Sequence, residues 1–172
     1  MRQETVWRLA GVAAVAGGLI DLVGPLFYPH LARPLRLSTY VLIDVLLLFG
    51  MLGVQSVAGR VMGWPGLVGF VIAVGGVLLV RTSAAGIWGA ASYTVASAIW
   101  SIGMVVIGAT LLVRRGPFRM AAALWIAAFV IGLAGLALKD QGLAHRLAAW
   151  CFALGFVAAG VILARTASRA EA

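Results

Sequence analysis

The chain has 172 residues, of which 63% are hydrophobic and 10% are charged, and its formal net charge is +8. A soluble domain has roughly 25% charged residues, so this composition indicates an integral membrane protein whose solvent is largely lipid. The basic residues stand singly or in small groups between apolar segments. Basic residues so placed orient helices and meet anionic lipid headgroups. We therefore expect the chain to lie in a lipid bilayer and not to bind nucleic acid.

Six apolar segments follow one another, each near the about 20 residues that a helix needs to cross a bilayer. They cover residues 7–28, 37–58, 62–80, 86–113, 118–138 and 144–164. Short loops such as GWPG and RRGPFR separate them, so neighbouring helices should be antiparallel. Backbone groups in lipid must bond internally, which leaves continuous helices as the spanning element. The sequence predicts an all-α integral membrane protein, an antiparallel bundle of about six transmembrane helices forming a single transmembrane domain over 1–172.

The arginine and lysine residues predict the orientation, because cytoplasmic loops are enriched in both. If the N-terminus is cytoplasmic, eight of them lie on that side: Arg2, Arg8, Arg60, Arg114, Arg115, Arg119, Arg165 and Arg169. Five lie on the other side: Arg33, Arg36, Arg81, Lys139 and Arg146. We expect a multi-pass protein of the plasma (inner) membrane with both termini in the cytoplasm.

Two aspartates interrupt the first two apolar segments, Asp21 in GGLIDLVGPL and Asp44 in YVLIDVLLLFG. Each is displaced by about 4–5 Å from the middle of its segment toward the first connecting loop, at ~1.5 Å per residue. Both should therefore lie at one depth in the outer half of the membrane. No lysine or arginine lies within the predicted spans at that depth. We expect at least one aspartate to be protonated at neutral pH, or a cation or a water-filled cavity to satisfy the pair.

Four further side chains are predicted to complete a substrate-binding site with the two aspartates. They are Tyr40, Tyr93, Ser97 and Trp100. Tyrosine and tryptophan rings suit a cation-tolerant pocket because their faces attract positive charge. The alternative is that the aspartates only join helices by hydrogen bonds, which average about 0.6 kcal/mol in membranes. The sequence carries no metal-binding, nucleotide-binding or nucleophile motif, so we expect no metal and no cofactor.

Three functions fit these features. The first is a transporter or membrane solute-binding subunit for a proton, a cation or a small amphiphilic ligand. The second is an enzyme with Asp21 or Asp44 as catalytic general acid, cyclising or isomerising an isoprenoid-like substrate. The third is an accessory subunit of a larger membrane complex. A chain of this size is expected to act as a homo-oligomer or with a membrane partner subunit.

Overall fold

The computed structural model describes residues 2–82, 89–139 and 142–171, which are almost entirely helical. These residues form five helices: α1 (Gln3–Phe27), α2 (Arg33–Thr82), α3 (Ser92–Val113), α4 (Arg119–Ala137) and α5 (Leu143–Glu171). Short 3₁₀ turns at Tyr28–His30 and Gly89–Ala91 follow α1 and precede α3. All five helices are long and apolar enough to cross a membrane. The all-helical class and the presence of membrane-length apolar helices are thus confirmed.

The structure differs from the predicted helix count at α2. One helical element of 50 residues covers both the second and the third predicted spans, and Gly63 is non-helical within it, with φ 60° and ψ −153°. Essentially only glycine adopts this backbone conformation. The helical conformation is therefore interrupted at Gly63 alone, and not over the whole GWPG stretch as expected. Pro65 fits directly after it because the first turn of a helix has no intrahelical partner for its N–H groups.

The two parts of α2 lie side by side, although they form one element. We call residues 33–62 the first limb and residues 64–82 the second limb. The carboxylate of Asp44 on the first limb contacts the guanidinium of Arg81 on the second. In a straight helix these residues would be about 55 Å apart, at ~1.5 Å per residue. The chain therefore reverses at Gly63, and the limbs are antiparallel.

The other helices complete the bundle around these limbs. Helix α1 packs on both α5 and α2, and α4 packs on both α3 and α5. The first limb faces α1, since a Cβ added to Gly53 would lie 2.6 Å from Cβ of Ala10. The second limb faces α3, since a Cβ on Gly69 would lie 3.0 Å from the carbonyl oxygen of Gly103. Glycine at such crossings lets helix backbones approach closely in lipid.

A chain of four aromatic rings fills the interior between α3, α4 and α5. Ring centroids lie 4.9 Å apart for Trp100 and Phe152, 5.2 Å for Phe152 and Phe156, and 5.3 Å for Phe156 and Trp125. Trp125 and Phe156 are almost fully buried. Tilted and edge-to-face pairs are the preferred arrangement of such rings. This aromatic chain ties three helices together without polar contacts.

Several helices extend beyond the predicted spans. Helix α1 begins at Gln3, α2 begins at Arg33, and α5 reaches Glu171. Counting apolar residues finds only the part of a helix that suits lipid, whereas polar residues such as Arg, Glu and Gln also form helix well. Residues 83–88, which include the predicted start of the fourth span, lie outside the described residues, as do residues 140 and 141.

Substituting Gly11 by alanine is expected to loosen the contact between α1 and α5. The added Cβ would lie 2.8 Å from the carbonyl oxygen of Gly160, so the backbones must separate. We expect a loss of about 1–3 kcal/mol, the usual effect of overpacking, measured by equilibrium unfolding of the purified protein in detergent. Gly75→Ala is the matched control, since a Cβ there meets nothing within 4 Å. Equal effects of the two substitutions would contradict a close α1–α5 contact.

Substituting Gly63 by alanine tests the chain reversal separately. A Cβ at Gly63 meets nothing within 4 Å, but its φ of +60° strains any residue that has a side chain. We expect Gly63→Ala to lower the free energy of unfolding by about 1–3 kcal/mol. Gly75→Ala should instead be neutral or stabilising by up to about 1 kcal/mol, because alanine is the better helix former. A Gly63→Ala protein as stable as wild type would show that the limbs are not joined by this backbone conformation.

Candidate functional site

The site is built around the ion pair between Asp44 and Arg81. The two residues lie at nearly equal distances along the chain from Gly63, so antiparallel limbs bring them to the same level. The Asp44 side chain is 8% exposed and the Arg81 side chain is 32% exposed. Asp44 is thus the more deeply buried partner, and Arg81 is the more exposed one. Arg81 also lies in the last turn of α2, where the helix dipole favours positive charge.

This pair corrects the expectation that no basic residue neutralises either aspartate. Arg81 directly follows the third predicted span, 62–80, but α2 continues to Thr82 and carries Arg81 in helical conformation. The long arginine side chain then reaches the carboxylate while about a third of its surface remains exposed. The sequence contains a usable signal in the near-equal spacing of Asp44 and Arg81 on either side of the GWPG turn.

Two tyrosines stand beside the ion pair. The guanidinium carbon of Arg81 lies 5.7 Å from the ring centroid of Tyr40, within the range of a cation–π interaction. The rings of Tyr40 and Tyr28 meet edge to face, with centroids 4.7 Å apart. Tyr28 can fold back against α1 because Gly24 has no side chain, and a Cβ there would overlap the tyrosine ring. The Tyr28 hydroxyl is buried and has no hydrogen-bond partner among the described residues.

Asp21 completes the cluster from α1. Its carboxylate lies near enough to Asp44 for the two groups to influence each other when both are ionised, and it also lies near the Tyr28 hydroxyl. Asp21 is half-buried, one turn before Gly24 on the face of α1 that packs inward. We call Asp21, Tyr28, Tyr40, Asp44 and Arg81 the acid–tyrosine cluster. It holds two carboxylates and one guanidinium, so its formal charge is −1 when all three are ionised.

The remaining predicted site residues lie on α3 and are not all drawn into the cluster. Trp100 packs against Gly76 of the second limb and against the ring of Phe152, as part of the aromatic chain. Helix α3 is antiparallel to the second limb, because Gly69 meets Gly103 and Gly76 meets Trp100. Half-buried Ser97, one turn before Trp100, is therefore close to the level of Arg81 along the helix axis. Tyr93, one turn further, is 58% exposed. The structure therefore brings Asp21, Tyr40 and Asp44 together, whereas the contacts of Trp100 are with Gly76 and Phe152.

Sequence reasoning missed Arg81 and Tyr28 as members of the site. Both lie at the ends of apolar segments, where they read as interface residues. In the described part of the chain, no three His, Cys, Asp or Glu side chains are grouped to hold a metal ion. The polar groups of the cluster are two carboxylates, two phenols and one guanidinium.

No protein-family model, curated protein or solved structure matches this chain. Its function is therefore argued from the chemistry of the cluster itself.

Replacing Arg81 by glutamine is expected to destabilise the bundle, since Asp44 would lose its partner while remaining buried. Breaking a buried ion pair is strongly destabilising. We expect about 2–3 kcal/mol, less than for a fully buried pair because a third of Arg81 is exposed. The measurement is equilibrium unfolding in detergent of Arg81→Gln, Asp44→Asn and the double variant.

The double variant should be less destabilised than the sum of the single variants, with a coupling of about 1–3 kcal/mol. Arg36→Gln is the control, because Arg36 lies on the same face of the first limb and forms no ion pair with either aspartate in the described structure. Additive effects of the two single substitutions would show that the pair is not formed in solution.

Proposed function

We propose that the chain is a plasma-membrane protein that crosses the bilayer six times, with both termini in the cytoplasm. The antiparallel limbs of α2 support this topology, since each limb is long enough for its own crossing. The excess of arginines on the side of the N-terminus and the Gly63 turn supports the orientation. In this topology the acid–tyrosine cluster lies in the outer half of the membrane, near the first connecting loop.

We further propose that the protein is a transporter, or the membrane solute-binding subunit of one, for a cation. The observation that carries the proposal is that the cluster has two carboxylates but one guanidinium. Charged residues within membranes are costly and usually serve ion or proton pathways. A structural role for Asp44 is complete once Arg81 binds it, and this leaves Asp21 as the acid whose charge a ligand would balance.

The surroundings of Asp21 support a cation as that ligand. The Tyr28 hydroxyl lies near Asp21 and has no described hydrogen-bond partner, so its oxygen is free to accept a bond from an N–H donor. The tyrosine rings add faces that attract positive charge, as Tyr40 does for Arg81. The ligand class that fits is a proton or a small cation of the ammonium or guanidinium type.

Transport is tested in proteoliposomes loaded with potassium, with valinomycin setting an inside-negative potential. Radiolabelled guanidinium is the probe, because it is the cation chemistry that Arg81 already presents to the cluster. We expect uptake above that of protein-free vesicles, and a fall of about tenfold or more in Asp21→Asn, since the balancing charge is removed. A trapped pH indicator in the same vesicles reports proton flux.

Glu4→Gln is the matched control, since it removes a carboxylate from the opposite end of α1. It should retain wild-type uptake. Wild-type vesicles that carry neither guanidinium nor protons would contradict the transport proposal. Equal uptake by wild type and Asp21→Asn would contradict the assignment of Asp21.

A further inference from the structure

The geometry points to Arg81 as a resident cation: its guanidinium fills one of two cation positions in the acid–tyrosine cluster and thereby limits the ligand to a single positive charge. This inference rests on the proposed function, because it concerns the valence of the ligand at the same site. It assigns to Arg81 a specificity-determining role beyond the stability that its ion pair contributes.

Arg81 is held as a bound organic cation would be held. Its guanidinium contacts the Asp44 carboxylate, and its central carbon stands 5.7 Å from the centroid of the Tyr40 ring. A carboxylate together with an aromatic face is a general arrangement for binding guanidinium and ammonium groups. The first cation position therefore consists of Asp44 and Tyr40, and the protein occupies it with its own side chain.

The second position lies at Asp21. Arg81 covers Asp44 from the more exposed side, leaving that carboxylate 8% exposed. Asp21 is half-buried on α1, one turn before Gly24, and the Tyr28 ring packs against Gly24. An incoming cation would therefore meet Asp21, since the position at Asp44 is already filled.

The formal charge of the acid–tyrosine cluster then determines the charge of the ligand that balances it. With Arg81 in place the cluster carries a formal −1, which one monovalent cation or one proton balances. Without Arg81 it would carry −2, a charge that two monovalent cations or one divalent cation would balance. In a medium of low dielectric an uncompensated charge is expensive, so this difference discriminates by valence. Arg36 lies two turns from Asp44 on the same face but forms no ion pair with either acid in the described structure, so it does not change the count.

The test counts bound guanidinium per chain by equilibrium dialysis of the detergent-purified protein with radiolabelled guanidinium. Wild type should bind one, and Arg81→Ala should bind two, because the vacated position at Asp44 accepts the probe. Arg81→Ala combined with Asp44→Asn should return to one. Arg36→Ala, the matched control, should bind one. Arg81→Lys keeps the positive charge and should also bind one.

The two proposals fail in different ways. If the count does not rise on going from wild type to Arg81→Ala, Arg81 is not a resident cation and the inference is overturned, whatever wild type binds. If wild type binds none and Arg81→Ala binds one that Asp44→Asn removes, the resident-cation position stands and the site at Asp21 fails.

If Arg81→Ala does not fold, the readout becomes its recovery as a monodisperse protein when purified in millimolar guanidinium chloride. Recovery in guanidinium but not in equimolar sodium chloride supports the vacated position. No recovery in either salt overturns it.

Discussion

The reversal of α2 on itself is the constraint on which the rest of the molecule depends. Gly63 joins the two limbs at one end, and the ion pair of Asp44 and Arg81 joins them again in the last turn of the second limb. Between these points each limb presents a different face, the first to α1 and the second to α3. Because α1 and α3 then pack on α5 and α4, this hairpin determines the neighbours of the whole bundle.

Burying a carboxylate in such a bundle has a consequence for function. Asp44 is tolerated because Arg81 reaches it from the end of α2, with about a third of the arginine side chain still exposed. The pairing uses the available basic residue and leaves Asp21 without an equivalent partner among the described residues. Tyr28, in the turn after α1, and Tyr40, on α2, meet edge to face beside the ion pair. The cluster therefore holds one more carboxylate than guanidinium, and our proposal of a cation ligand depends on this excess.

The sequence indicated the two aspartates of the site, because each interrupts an apolar segment. It did not indicate Arg81, whose place in the site depends on a tertiary contact. The depth argument predicted one level for Asp21 and Asp44 from segment centres alone, and in the structure both belong to the acid–tyrosine cluster. Arg81 was missed because side-chain reach and the continuation of a helix past its apolar part are not visible in a hydropathy pattern. Trp100 was expected in the site because its ring face suits a cation-tolerant pocket, yet the ring packs against Phe152 between α3 and α5.

The sequence by itself determined the class of the protein and the nature of its helices. Apolar segments of membrane length have to become helices, because lipid offers no partners for backbone groups, and a Gly-Trp-Pro-Gly stretch has to interrupt them. Only the tertiary structure decided that this interruption is a single residue and that the limbs lie against each other, so that Arg81 meets Asp44. The physical reason is that an ion pair between residues far apart in the chain depends on the angle at which two helices leave a turn. That angle is selected by the packing of the entire bundle.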